Sequence, residues 1–88
     1  MVRQPAVVQF SQGLHARPAS ELVKLASRYT CRITIIKDDR SVDAKSILGV
    51  MSLGAEPGST VTIEADGPDA SDAVSALVQF LQKEGALS

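Results

Sequence analysis

Eighty-eight residues, 44% apolar and 22% charged, have the size and make-up of one small globular domain spanning 1–88. A net charge of −1 gives no overall electrostatic case for nucleic acid or an anionic membrane surface, and one cysteine with one histidine excludes an internal disulfide and leaves no zinc ligand set, so neither metal nor cofactor is expected. No apolar run approaches ~20 residues and the N-terminus lacks a basic-then-apolar leader, so a cytoplasmic protein without direct membrane insertion is expected.

In chain order, Ala6–Phe10 alternates and predicts a first strand with Ala6, Val8 and Phe10 on one face. Ser11-Gln12-Gly13 breaks it. From Ala16 to about Ser27 the apolar spacing turns helical through Ala19, Leu22, Val23 and Ala26. Pro18 fits a first helical turn, where little backbone bonding is lost. Arg32–Lys37 predicts a second strand with Ile33 and Ile35 inward. Asp38-Asp39 turns the chain into a short third strand, Arg40 to about Asp43, with Val42 inward. Ser46–Leu53 predicts one to two helical turns, bounded by Gly54. Thr60–Ala65 alternates cleanly as a strand. Asp69 is placed to cap a last helix, from about Ala70 to Lys83, with Ala70, Ala73, Val74, Leu77 and Leu81 on one stripe and Gly85 as its stop. Cys31 reads as a small hydrophobe at a strand start.

The order is β-α-β-β-α-β-α. Strands that alternate favour an antiparallel sheet with one face wet. The fold class is therefore α/β of the α+β type: an open-faced two-layer sandwich, with a four-stranded, mainly antiparallel sheet covered on one face by three helices.

Chemistry concentrates in Gly13-Leu14-His15-Ala16-Arg17-Pro18-Ala19-Ser20, which holds the only histidine. A helix starting at about Ala16 to Pro18 would leave His15 at its N-cap or just before it. The free amides of Ala16 and Arg17, the positive end of the helix and the Arg17 guanidinium would then meet an anion on the imidazole. Taken singly, each residue has an ordinary reading: His15 as a cap, Arg17 as a solvated charge, Pro18 as punctuation. Lys24 and Lys45 are the further charges available to this region, all basic, while acidic residues gather at Asp38-Asp39 and from Glu64 to Asp72. In the short helix, Ile47, Leu48 and Met51 share a face that Val50 and Leu53 do not. All five could be core, or the first three could form an exposed docking patch. Ser46 sits where an N-cap serine would sit.

The segment G-L-H-A-R-P-A-S resembles the active-site signature of the histidine-containing phosphocarrier protein (HPr) family of the bacterial sugar phosphotransferase system. Lys45-Ser46-Ile47-Leu48-Gly49-Val50-Met51-Ser52-Leu53 resembles the family's second signature, and the similarity runs over essentially the whole chain. The resemblance implies the same open-faced sandwich. It implies that His15 takes a phosphoryl group on Nδ1 from enzyme I and passes it to enzyme II A domains, with Arg17 as phosphate partner. It also implies docking through Ile47, Leu48 and Met51, with Lys24 and Lys45 beside them, and phosphorylation of Ser46 by an HPr serine kinase/phosphorylase. A regulatory phosphoprotein that binds a catabolite repressor is the alternative, compatible with the first. Such a protein is a monomeric carrier and not an enzyme. An acylphosphatase-like hydrolase of similar size needs an asparagine, and the sequence has none. The family's usual Ser or Thr before the motif glycine is Gln12 here.

Overall fold

The computed structural model describes residues 1–10 and 16–82. Seven elements follow one another: β1 (Val2–Val7), α1 (Ala16–Ala26), β2 (Arg32–Lys37), β3 (Arg40–Asp43), α2 (Ile47–Ser52), β4 (Thr60–Asp66) and α3 (Ala70–Gln82). The strands form one sheet in the order β1-β4-β2-β3, and every neighbouring pair is antiparallel. This is the predicted open-faced sandwich, and its cause lies in the strand alternation. Val61, Ile63 and Ala65 of β4 and Ile33 and Ile35 of β2 are buried, while Thr62, Glu64 and Thr34 between them are not. A two-residue slip would preserve these faces and a one-residue slip would reverse them, so the pairing Ile35↔Ile63 fixes which side is core.

The helices cover that apolar side. Leu22 of α1, Val50 of α2 and Val74, Leu77 and Leu81 of α3 are essentially inaccessible to water. Each fully buried aliphatic side chain of this kind contributes roughly 1.5–3 kcal/mol. The other sheet face stays open and carries an ion pair between Arg3 and Glu64, which are direct cross-strand partners.

Two sequence expectations need correction. The first strand is Val2–Val7 and not Ala6–Phe10. Ala6, Val8 and Phe10 are all buried as expected, but the ladder with β4 ends at Val7↔Thr60. Beyond it, the Val8 N–H donates to the Ser59 carbonyl (2.9 Å), and the Gln9 N–H to the Leu81 carbonyl (2.9 Å) at the end of α3. Burial therefore continues after the strand has stopped. Pro5 is accommodated because β1 is an edge strand, where a missing N–H can face solvent.

Asp69 does precede α3, yet its carboxylate serves another element. Oδ2 accepts from the Thr30 N–H (2.9 Å) and Oγ1 (3.3 Å), and Oδ1 accepts from the Cys31 N–H (3.0 Å). Asp69 thus ties the start of α3 to the corner between α1 and β2. Gly67, with φ +145°, lets the chain pass that corner: a Cβ there would lie 2.8 Å from the Cys31 Cβ. The expected break at Ser11-Gln12-Gly13 and the expected helix end at Lys83 and Gly85 lie outside the described residues.

Candidate functional site

α1 begins at Ala16, so the chain places His15 directly before the first helical residue; His15, with Gly13 and Leu14, lies outside the described residues. The helix runs 11 residues because Pro18, Ala19, Leu22 and Ala26 recur on its buried side. Burying that stripe turns the other side to water, and Ala16 and Arg17 are both exposed. Pro18 has no N–H, so the backbone donors left over in the first two positions are those of Ala16 and Arg17. The first turn contains no acidic residue. A helix start with an arginine, spare amides and no carboxylate suits an anion.

α2 is built differently. Ser46 caps it, its Oγ accepting from the Gly49 N–H (3.2 Å), with extended backbone at φ −111°, ψ 115°. Gly49 brings the helix close to β3: a Cβ there would stand 3.4 Å from the Val42 Cβ and 3.3 Å from the Ser46 Oγ. Within α2 and its C-cap, Val50 and Leu53 are buried, whereas Ile47, Leu48 and Met51 are exposed, at 40%, 77% and 39%. Together they account for three of the four exposed large apolar side chains of the described residues, the other being Met1. α2 packs on α1.

The three basic residues expected near one another do not converge on the start of α1. Lys24 is exposed but in the last turn of that helix, two turns beyond Arg17. The Lys45 ammonium donates to the Tyr29 carbonyl (2.7 Å), past the C-terminal end of α1, where free carbonyls attract a cation. Arg17 alone stands at the N-terminal end.

The sequence reading also missed Asp43. Its Oδ1 accepts from the Lys45 N–H (2.9 Å) and its carbonyl from the Ser46 N–H (3.0 Å), so a carboxylate orients the approach to the α2 cap. An Asp two residues before the bonded amide is a recognisable Asx-turn signal. Nearby, the Thr30 N–H holds the Asp69 carboxyl below its ordinary range, with the Cys31 thiol and N–H adding to the effect. Burial pushes the Cys31 thiol up, and the Asp69 carboxylate pushes it further, so this cysteine stays protonated and inert.

A family model described as the PTS HPr component phosphorylation site matches residues 2–83. The chain belongs to the HPr family. It is 45% identical over 84 residues to the HPr-like protein Crh of Halalkalibacterium halodurans, across 96% of this chain and 100% of that one. It is 42% identical over 81 residues to the phosphocarrier protein HPr of Cupriavidus necator, across 92% of this chain and 91% of that one. The crystal structure of a phosphocarrier protein HPr from Bacillus anthracis matches with a TM-score of 0.89 and 43% identity, covering 92% of this chain and 96% of that one. The chain is accordingly an HPr-type phosphocarrier and, like that family, not an enzyme.

Proposed function

We propose that His15 is the carrier atom's residue, accepting a phosphoryl group from phosphorylated enzyme I and delivering it to enzyme II A domains. The observation that supports this most is the start of α1 at Ala16, which puts the motif histidine immediately ahead of a helix end that bears Arg17 and no acid. In the transfer, a neutral imidazole nitrogen forms a bond to phosphorus as the donor's bond to phosphorus breaks. The second transfer reverses those roles. Little covalent work falls to the protein, so positioning and charge decide the rate. The Ala16 and Arg17 amides can donate to the phosphate oxygens, and the guanidinium can neutralise them.

Docking is assigned to Ile47, Leu48 and Met51, with Lys24 and Lys45 at the margin. Exposed Arg17 and Lys24 favour partners with acidic surfaces. The location is cytoplasmic, and the carrier works as a monomer. Ser46 phosphorylation by a serine kinase/phosphorylase is a second, regulatory layer. The relatedness to a Crh protein favours a reading in which that layer, and binding of a catabolite repressor, matters alongside sugar uptake. A phosphate on Oγ could still accept from the Gly49 amide, and it would add close to two negative charges beside the apolar face.

Incubation with enzyme I and labelled phosphoenolpyruvate tests the carrier reading. The expected result is one equivalent of label on the wild-type chain and none on His15→Ala. Label retained by His15→Ala would refute it.

A further inference from the structure

Lys45 is half-buried and its charge is already committed. Its ammonium donates to the Tyr29 carbonyl (2.7 Å), a charge-assisted bond to the corner between α1 and β2. That acceptor is itself fixed. The Tyr29 N–H donates to the Ala26 carbonyl (3.2 Å) at the end of α1. The next two amides, of Thr30 and Cys31, donate to the Asp69 carboxylate (2.9 and 3.0 Å). At the other end of the lysine, its own N–H donates to Asp43 Oδ1 (2.9 Å), and the Ser46 N–H donates to the Asp43 carbonyl (3.0 Å). Lys45 therefore joins two anchored points: the corner that α1, β2 and the start of α3 share, and the entry to α2.

We propose that Lys45 is a positioning residue for docking: through the Tyr29 carbonyl it holds α2 at the angle that presents Ile47, Leu48 and Met51, and it does so without touching a partner. The inference rests on the carrier and docking readings above. α2 has six residues, of which only Val50 is buried. A helix this short has little stability of its own, so its placement depends on what ties it to the rest of the fold. Gly49 lets it approach β3, and buried Leu53 holds its far end. Lys45 ties the near end, two residues before Ile47. Cutting that tie frees the face to tilt and weakens binding. The start of α1, with Arg17, lies at the opposite end of that helix from the Tyr29 corner and is left as it was. A lysine that met an acidic partner directly would behave otherwise. Its contribution would fade as salt rises, whereas a partly buried tie within the fold is screened much less.

Three variants test this. Lys45→Met keeps the aliphatic stem and removes the ammonium, and Lys45→Arg keeps a cationic donor. Ile63→Val, in the buried centre of β4, controls for lost melting temperature. The readouts are KM and maximum rate for transfer from enzyme I, each relative to wild type at low and high salt, and hydrogen exchange of the α2 and β4 amides. Lys45→Met is expected to raise KM about fivefold at both salt concentrations with the maximum rate unchanged, and to speed exchange in α2 but not in β4. Lys45→Arg should restore both, and Ile63→Val should leave KM alone. An unchanged KM in Lys45→Met would overturn the proposal, as would a rise that vanishes at high salt, a matching fall in maximum rate, or an equal rise in Ile63→Val. If the wild-type chain takes no phosphate from enzyme I, the carrier reading fails. Exchange, which needs no partner, then decides the tie by itself: acceleration confined to α2 in Lys45→Met sustains it, and its absence overturns it.

Discussion

The two helix starts at which we propose phosphate chemistry differ in how far they are already satisfied. At α2 the Ser46 hydroxyl bonds the Gly49 amide, Asp43 orients the approach, and only Val50 of the six helical residues is buried. At α1 four of 11 residues are buried, so packing holds the helix and its first turn is left with exposed Arg17 and spare amides. A helix anchored by its body can keep an open end for chemistry. A helix anchored by its cap cannot change that cap without consequence. Substitutions at the α1 start should therefore move transfer and spare stability, and truncation of the α2 cap should do the reverse.

The largest expected separation comes from Arg17→Ala. Transfer from enzyme I should slow about 10- to 100-fold, the scale of losing one charged phosphate contact, while the calorimetric melting temperature stays that of the wild type. Ser46→Ala is the mirror experiment. Loss of the cap should cost about 1 kcal/mol, lowering the midpoint by roughly 4–8 °C, with transfer intact. If Arg17→Ala melts early or Ser46→Ala transfers slowly, the division between the two ends is wrong.

Within α2 the contrast can be sharpened to neighbouring residues. Val50→Ala removes buried methyls and should cost about 2 kcal/mol in urea unfolding. Leu48→Asp changes a side chain that is 77% exposed, so it should leave the unfolding midpoint in place and weaken binding to enzyme I in titration calorimetry. A stability loss at Leu48 would mean that this face is core. For Ser46→Asp, a mimic with less charge than phosphate, the melting point should hold and transfer should fall, with the deficit shrinking as salt rises. A deficit that ignores salt would point to steric blockage of the face.

What could be read ahead of the fold was local. β2 and β3 have the spans expected from Arg32–Lys37 and Arg40–Asp43, because alternation and an Asp-Asp turn lie within a few residues of each other. Helical geometry alone puts Val50 and Leu53 on a different side of α2 from Ile47, Leu48 and Met51, but it leaves all five as possible core, and the family resemblance is what makes the second set the exposed one. β1 was misplaced for an equally physical reason. Alternating burial marks contact with the core, whereas a strand is defined by its ladder, and from Val8 onward the partners are a loop and a helix end. The carboxylate of Asp69, the ammonium of Lys45 and the Phe10–Phe80 pair join residues 16 to 70 positions apart, and no periodicity encodes such contacts. The start of α1 at Ala16 was legible from Pro18 and the spacing after it.

The smallest expected effect lies at Asp69, away from both helix starts. Its carboxyl titrates below the ordinary range in the folded chain, so ionised Asp69 contributes stability above the usual carboxylate value near pH 4. That contribution disappears as the pH falls through the lowered folded value. Asp69→Asn keeps one acceptor but turns an amide toward a second N–H. It should melt earlier than wild type at neutral pH, with the gap closing in acid. A gap independent of pH would remove the ionic part of this contact.

The identity of the phosphorylated atom tests the account most directly. After reaction with enzyme I and phosphoenolpyruvate, the phosphorus NMR signal and bond stability of the product distinguish the candidates. The account predicts a phosphoramidate on the single imidazole, lost in mild acid, stable in alkali, and accompanied by displacement of the one histidine proton pair. An acid-stable phosphate ester, or an acyl phosphate released by hydroxylamine, would place the group on a hydroxyl or a carboxylate and contradict it.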